Sequence, residues 1–476
     1  MRSGLFAVAI FLSLGLTVAA QQPVQFTDVT AESGLWDVPT GWGVTVEDVD
    51  RDGNLDLIFA NNGSENAAFY NQGKLQFRGR PIIGGSAGTE ALVPADFDGD
   101  GFVDLVGACW GGPPALFRND GTGRFIEVAA DYGLEAPPDT RCGGAAIGDA
   151  DGDGTLDIFL PESTGKDVLY AYLGGKYENV TAQAGLPQVP GGESATFFDV
   201  DDDRDLDLYV ARSNDKSALY LNDGTGTFQD LSANTQLFAA TGNCGVVFAD
   251  LDNDGDADLL QVNGAFGGAS VNRLLRNDGG AKFVDATPES WKAESGRWFS
   301  AAVGDINNDG NLDVYFTGLD RNLLLLNQSG LKFAPAPDPC PPQPGQACCG
   351  SLLVDLDGDG DLDLVTRHRA GLDYILRNDR NDNNWLEVRP ISAKGNPYCL
   401  GARLRVFKAG GLGDMRQFVA RRDLIPTCGW GSYMPYVAHF GLDAGQRYDL
   451  EVRYADGTAA TETNVQPGRY LEISPR

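Results

Sequence analysis

Seven nine-residue segments carry carboxylates at a spacing suited to holding a cation. Positions 1, 3, 5 and 9 are Asp48, Asp50, Asp52 and Asp56 in the first copy, then Asp96, Asp98, Asp100 and Asp104 in the second. The third has Asp149, Asp151, Asp153 and Asp157, and the fourth Asp199, Asp201, Asp203 and Asp207. The fifth has Asp250, Asp252, Asp254 and Asp258, the sixth Asp305, Asn307, Asp309 and Asp313, and the seventh Asp355, Asp357, Asp359 and Asp363. Four carboxylates within nine residues repel one another, and a hard cation that prefers oxygen ligands resolves the conflict. Calcium is the expected ion. The backbone carbonyl of position 7 (Asn54, Phe102, Thr155, Asp205, Asp256, Asn311 and Asp361) completes the expected ligand set. Up to seven ions are expected, one per copy. The fourth copy is the exception, because Arg204 stands at position 6 where glycine permits the sharp turn. Asn307 should weaken the sixth.

An EF-hand shares the first half of this pattern but needs Glu at position 12 between helices. Position 12 here is Phe59, Gly107, Leu160, Val210, Gln261, Phe316 or Thr366, so that reading fails. The flanks instead read as strands. A short apolar run precedes each loop, and a β-branched or aromatic run such as LDLIFA, LDLYVA or LDVYFT follows it. A third strand and a hairpin come next, as in LFRNDGTGRF (116–125), where Asn-Asp-Gly suits the turn. The first aspartates lie 48, 53, 50, 51, 55 and 50 residues apart, the period of a repeat architecture. Four strands in each of seven units predict an all-β, seven-bladed β-propeller. Residues 26–35 (FTDVTAESGL) resemble the fourth-strand segments FIEVAADYGL and YENVTAQAGL, and no such segment follows the seventh unit. The N-terminal strand is therefore expected to complete the last blade.

The motif D-x-[DN]-x-D-G-x-x-D between strands resembles the FG-GAP/VCBS repeat, the blade unit of integrin α-subunit heads. The resemblance spans residues 24 to about 380. It implies calcium in a structural role, on the face away from the usual ligand surface. Beyond Asn383 the period stops. NNWLEV (383–388), LGARLRV (400–406), HFGL (439–442) and LEVRYADGT (450–458) resemble the ASPIC/UnbV domain. Propeller followed by this domain is the arrangement of the cartilage acidic protein family. The expected organisation is a signal peptide over 1–20, the propeller over 21–380 and a small β-rich, sandwich-like domain over 383–476.

Much of the formal charge of −31 comes from the loops, whose positions 1, 3, 5 and 9 alone hold 27 of the 67 acidic residues. It argues against nucleic-acid partners and anionic membranes. Arg2, the apolar stretch Leu5 to Leu16 and Thr17-Val18-Ala19-Ala20 read as a secretory signal, with no later apolar run long enough to span a membrane. Secretion to the extracellular space is expected, or to the periplasm or cell surface in a bacterium. The even count of eight cysteines fits export. Candidate disulfides are Cys399 with Cys428, Cys340 with Cys348 or Cys349, and Cys109 with Cys142. Asn62, Asn179 and Asn327 begin glycosylation sequons.

No nucleophile elbow or phosphate loop is present, and the only histidines are His368 and His439. His439 reads as structural, and His368 is placed on the open face of the ring. The chain is thus read as a non-enzymatic binding or adhesion module for an extracellular protein or glycan. A carbohydrate-active protein, lectin or polysaccharide-cleaving enzyme, is the alternative. Either would use the loops opposite the metals, where Trp36, Trp42, Trp110, Trp291, Trp298 and Phe266 join Arg141, Arg297, Arg321, Arg367 and Arg369.

Overall fold

The computed structural model describes residues 24–475 except 37–40, 83–87, 137–138, 188, 215, 232–241, 342–346, 381 and 394–397. The expected signal peptide lies outside the described residues. Seven four-stranded antiparallel sheets follow one another along the chain. In the first, Gly41–Glu47, Asp56–Asn61, Asn66–Asn71 and Phe77–Ile82 pair in order. The seventh consists of Cys348–Val354, Asp363–His368, Tyr374–Asn378 and, as its outer strand, Phe26–Asp28. Phe26 pairs with Asn378 and Asp28 with Leu376, so the N-terminal strand closes the last blade as expected. The innermost strands of consecutive blades abut, and Gly41–Glu47 abuts Cys348–Val354 in turn. The sheets therefore close into a ring. The inner strands carry apolar residues on both faces because each is sandwiched between neighbouring blades; Gly192–Phe198 and Trp298–Gly304 are buried throughout.

A feature of the third strands ties the blades together. Each ends in Asn, except that Tyr172 takes this place in the third blade. The Asn side-chain amide donates to a backbone carbonyl in the acidic loop of the preceding blade: Asn119 to Val49 (2.8 Å), Asn277 to Val200 (3.0 Å), Asn327 to Leu251 (2.8 Å) and Asn378 to Ile306 (2.9 Å). Asn222 reaches Ala150 (2.7 Å), and Asn71 reaches Leu356 in the seventh blade (2.9 Å), stapling first to last. The Asn327 sequon is thereby corrected: this residue is 1% exposed and its amide nitrogen donates to both Leu251 O and Leu312 O, leaving no room for a glycan.

Two further sheets follow the ring. Phe418–Asp423, Arg403–Lys408, Tyr448–Arg453 and Ala459–Val465 form one. Ala438–Gly441, Trp385–Pro390 and Arg469–Ile473 form the other, the last two strands running parallel. Leu386, Val388 and Phe440 of one sheet share a core with Leu404, Val406, Leu450 and Val452 of the other. This second unit does not hang free. Its segment 427–434 enters the centre of the ring. Tyr433 N donates to Val44 O (2.9 Å), Gly429 N to Val246 O (3.3 Å), Ser300 Oγ to Cys428 O (2.9 Å) and Ser194 Oγ to Gly429 O (3.2 Å). At the tip, Trp430 is fully buried against Trp42 (ring centroids 4.9 Å) and Phe299 (5.5 Å). Glycine is needed where this segment passes: a Cβ on Gly43 would lie 2.0 Å from the Gly431 carbonyl.

The cysteines correct an expectation. All eight are buried, and none is joined to another in a disulfide. Cys399 donates to Pro390 O within the small unit, while Cys428 donates to Ala301 O in the channel, so these two point to different places. Cys340 lies against Thr366 and His368, Cys348 donates to Gly350 O and Cys349 to Ala347 O. Cys109 and Cys142 are backbone neighbours, Cys142 N donating to Cys109 O at 2.9 Å.

Removing the central ring contact should loosen both units together. Trp430→Ala is expected to lower stability by about 3–5 kcal/mol, the usual cost of truncating a buried tryptophan, read as a shifted denaturant midpoint. Asn119→Ala removes one staple and strands the Val49 carbonyl, so a loss of about 1–3 kcal/mol is expected in the same assay.

Candidate metal centres and the opposite face

Each acidic loop joins the first strand of its blade to the second, and its backbone is held by its own aspartates. The position-6 amide donates to the position-1 carboxylate in every copy, from Gly53 to Asp48 (3.0 Å) through Gly360 to Asp355 (2.7 Å). The position-5 carboxylate accepts the amide of position 7, as in Asn54 N to Asp52 (2.9 Å) and Asp361 N to Asp359 (3.0 Å). Positions 4 and 6 both take positive φ in all seven loops, 52–77° and 85–100°. The pattern at position 6 was visible in its glycines. That at position 4 was hidden, because Arg51, Asp202, Asn253 and Asn308 share it with glycines.

Position 9 is the deepest. Asp56, Asp104, Asp157, Asp207, Asp258, Asp313 and Asp363 are all 2% exposed or less. Each begins the second strand, where one oxygen accepts the amide of position 2 and the other that of the residue closing the third strand, as for Asp56 with Val49 (3.0 Å) and Asn71 (2.8 Å). Burial outweighs these bonds and pushes the carboxyls of Asp56, Asp104, Asp207 and Asp258 up to about 8 and that of Asp157 to about 7. Asp313 and Asp363 are driven up by burial too. The charged forms thus lack compensation from the protein alone.

The remaining oxygens converge. In the first three blades single oxygens from positions 1, 3 and 9 lie within 4.8 Å of one another: Asp48, Asp50 and Asp56; Asp96, Asp98 and Asp104; Asp149, Asp151 and Asp157. In the fourth and fifth blades the converging set is positions 1, 3 and 5: Asp199, Asp201 and Asp203; Asp250, Asp252 and Asp254. At position 3, Oδ1 of Asp50, Asp201, Asp252 and Asp357 is buried with no hydrogen-bond partner. Orphaned carboxylate oxygens aimed at other carboxylates are what a divalent-cation site leaves when only its protein atoms are counted. The residues therefore fit the group. Oxygen-only donors suit calcium better than a transition metal. In the sixth and seventh loops, Asp305, Asn307, Asp309, Asn311 and Asp313, and Asp355, Asp357, Asp359, Asp361 and Asp363, occupy the same loop positions. Asn308 adds a bond to Asp361 at 2.8 Å that links these two loops.

The small unit sits on this metal-loop face. Arg389 bonds buried Glu47 (2.6 Å), Arg403 bonds Asp199 (3.0 Å), and His439 Nε2 donates to Gly360 O (3.0 Å). His439 thus faces the seventh loop. A cavity of about 110 Å³ remains under the unit, lined by Asp250, Asp305, Asp355, Glu387, Arg422 and His439 among others. Burial lowers both histidines to about 4, leaving them neutral near pH 7. His368 is corrected: it is 2% exposed beside Cys340, not on the open face, because its strand lies between blades.

The opposite face divides into packing and surface. Trp42, Trp291 and Trp298 are buried, Trp291 and Trp298 against Phe316 between blades. Arg367 is buried and paired with Asp373. Trp36 and Phe266 are exposed, Arg297 pairs with Asp320 and Arg321 with Glu294, and Arg141 and Arg369 lie over Trp110 and Trp42. Around the channel stand two buried carboxyls that the sequence pattern did not reveal, since neither lies in a repeat motif. Glu90 accepts from Asn62 (2.6 Å), and Glu193 from Ser163 (3.0 Å) and Ser213. Burial raises Glu90 to about 8 and Glu193 to about 7.

A carboxyl whose folded pKa exceeds its unfolded one retains a proton that the unfolded chain releases, so raising pH favours unfolding across that interval. In calcium-free buffer with EDTA, stability is expected to fall between about pH 4.5 and pH 8. The slope should be shallower in Glu90→Gln, measured by denaturation at each pH.

Known proteins can now be set beside this geometry. The FG-GAP-like repeat family matches residues 48–107, 96–160, 199–260 and 264–316, and the ASPIC and UnbV family matches 392–476. Cartilage acidic protein 1 of Xenopus tropicalis is 25% identical over 478 residues, covering 89% of this chain and 71% of its own length. The Mus musculus protein is 26% identical, covering 87% and 61%, and the Homo sapiens protein 25% identical, covering 90% and 62%. The chain thus spans about three-fifths of the mouse and human relatives. Likeness to solved structures is looser: BBS1N in complex with ARL6DN (11% identity, TM-score 0.45, 76% of this chain and 99% of that) and YCF48 bound to D1 peptide (11%, 0.46, 75% and 96%). The chain carries FG-GAP-like repeats in its β-propeller and an ASPIC/UnbV domain at its C-terminal end.

Proposed function

We propose that this chain is an exported, calcium-braced binding scaffold, with the metal ions in a structural role. The observation that supports it is the set of orphaned position-3 oxygens turned toward buried position-1 and position-9 carboxylates. Carboxylates 1, 3, 5 and 9 and the position-7 carbonyl would hold the ion, which supplies the counter-charge that burial withholds. The chain's own residues do the rest: the position-6 amides fix the turn and the asparagine staples transmit its shape to the next blade. Ligand recognition is assigned to the face opposite the metal loops, since the C-terminal domain covers the loops near Asp199, Gly255 and Gly360. Trp36 and Phe266, 46% and 44% exposed, stand on that free face, and aromatic side chains anchor protein and glycan partners alike. Relatives named for cartilage suit an extracellular setting, and no helix among the described residues is long and apolar enough to cross a membrane.

An ion that binds only the folded state raises stability by mass action. Melting in millimolar calcium and then in EDTA should show a large drop in midpoint without the ion, restored by calcium addition. Identical melting curves in the two buffers would remove the structural role.

A further inference from the structure

The fourth loop differs from its neighbours in more than Arg204. In the first, third, fifth, sixth and seventh loops the position-1 carboxylate has both oxygens engaged by loop amides, positions 5 and 6 donating to Oδ1 and Oδ2. Of these two bonds, Asp96 in the second loop keeps the position-6 one, to its Oδ2, and Asp199 shares that arrangement but adds a guanidinium from outside the ring. Its Oδ2 accepts Arg204 N at 3.2 Å and also Nη2 of Arg403 at 3.0 Å, while its Oδ1 is buried without a partner. Arg403 comes from the C-terminal domain and is a tenth exposed. Its Nη1 pairs with Asp202 at position 4 (2.7 Å), and its Nε with Asp423 (3.1 Å). Arg421 adds a second guanidinium to Asp202 at 3.3 Å and bonds Gly255 O in the fifth loop at 2.8 Å. Arg204 holds the loop turn at φ 85°, a strained value for a side-chain-bearing residue.

The loop therefore keeps cation-ligating atoms on one side, Asp199 Oδ1 and Asp201 Oδ1, and a fixed guanidinium on the other. We propose that the fourth loop binds its cation in competition with Arg403, which makes it the weak site of the ring and couples its occupancy to docking of the C-terminal domain. The inference rests on the calcium reading above. Two positive charges drawn to one carboxylate repel each other across a partly buried interface, where solvent screens them poorly. The coupling is reciprocal: whatever Arg403 costs the ion, the ion costs the Arg403 contact. Asp202 and Asp423 keep Arg403 in place at low calcium, so the domain remains seated while the fourth loop is empty of metal.

The test is site-resolved occupancy. Crystals of the whole chain equilibrated with graded free Ca²⁺, read by anomalous scattering, should fill loops one to three first. The fourth should need at least about tenfold more calcium, within the range of coupling between linked sites. Native mass spectrometry of Arg403→Met, checked for folding by circular dichroism, should show one additional tightly held ion, whereas Arg403→Lys, which keeps the charge, should retain the weak site. A wild-type fourth loop that fills in step with loops one to three overturns the proposal without needing a variant. So does an unchanged ion count in folded Arg403→Met. No calcium at any loop overturns the calcium reading itself, and the proposal with it.

Discussion

Carboxylates withdrawn from water are the constraint around which this molecule is arranged. Each blade begins its second strand with an aspartate that is almost wholly buried. Its two oxygens join the loop below to the end of the third strand, as Asp104 does with Phe97 and Asn119. The same asparagine then spends its side-chain amide on the preceding blade. One buried acid per blade thus sets a loop, a strand end and an inter-blade contact at once. Charge on that acid is costly without a nearby cation, so the geometry of the loop and the protonation of its buried acid are set together.

The C-terminal domain extends the same logic to the whole molecule. Its core merges with that of the first two blades, Leu386 and Val406 clustering with Ile58 and Phe117. Its inserted segment touches inner strands around the ring, and its arginines meet carboxylates on the loop face. A propeller usually has an open channel; here the channel is filled by Trp430 and its neighbours, so the ring and the domain stabilise each other. Motion between them would break backbone hydrogen bonds, aromatic packing and ion pairs together. The face left free is the one whose loops vary in length and composition, a sensible division between a rigid base and a variable surface.

Much of this was legible in the residues. The sevenfold aspartate pattern, the β-branched runs after it and the stray fourth-strand segment at residues 26–35 together imply blades, their number and the closing strand, because each depends on local spacing. The candidate ligands were legible for the same reason. Other roles were not. Asn119 and its equivalents look like ordinary turn residues, yet their amides reach another blade. Glu90 and Glu193 belong to no motif, and Cys399 and Cys428 looked like partners only because they are near in sequence. RHR reads as a connection between strands on the open face, whereas His368 ends the buried strand Asp363–His368.

What the sequence by itself determined is the repeating unit: acidic turn, strand alternation and hairpin follow from side-chain chemistry within fifty residues or so. Tertiary structure alone decided that residues 427–434 fill the channel, that Arg403 shares Asp199 with the fourth loop, and which aromatic residues remain at the surface. Those contacts join segments hundreds of residues apart, and no local preference encodes them. They exist because closing a ring creates a central cavity and an acidic face that something complementary must cover.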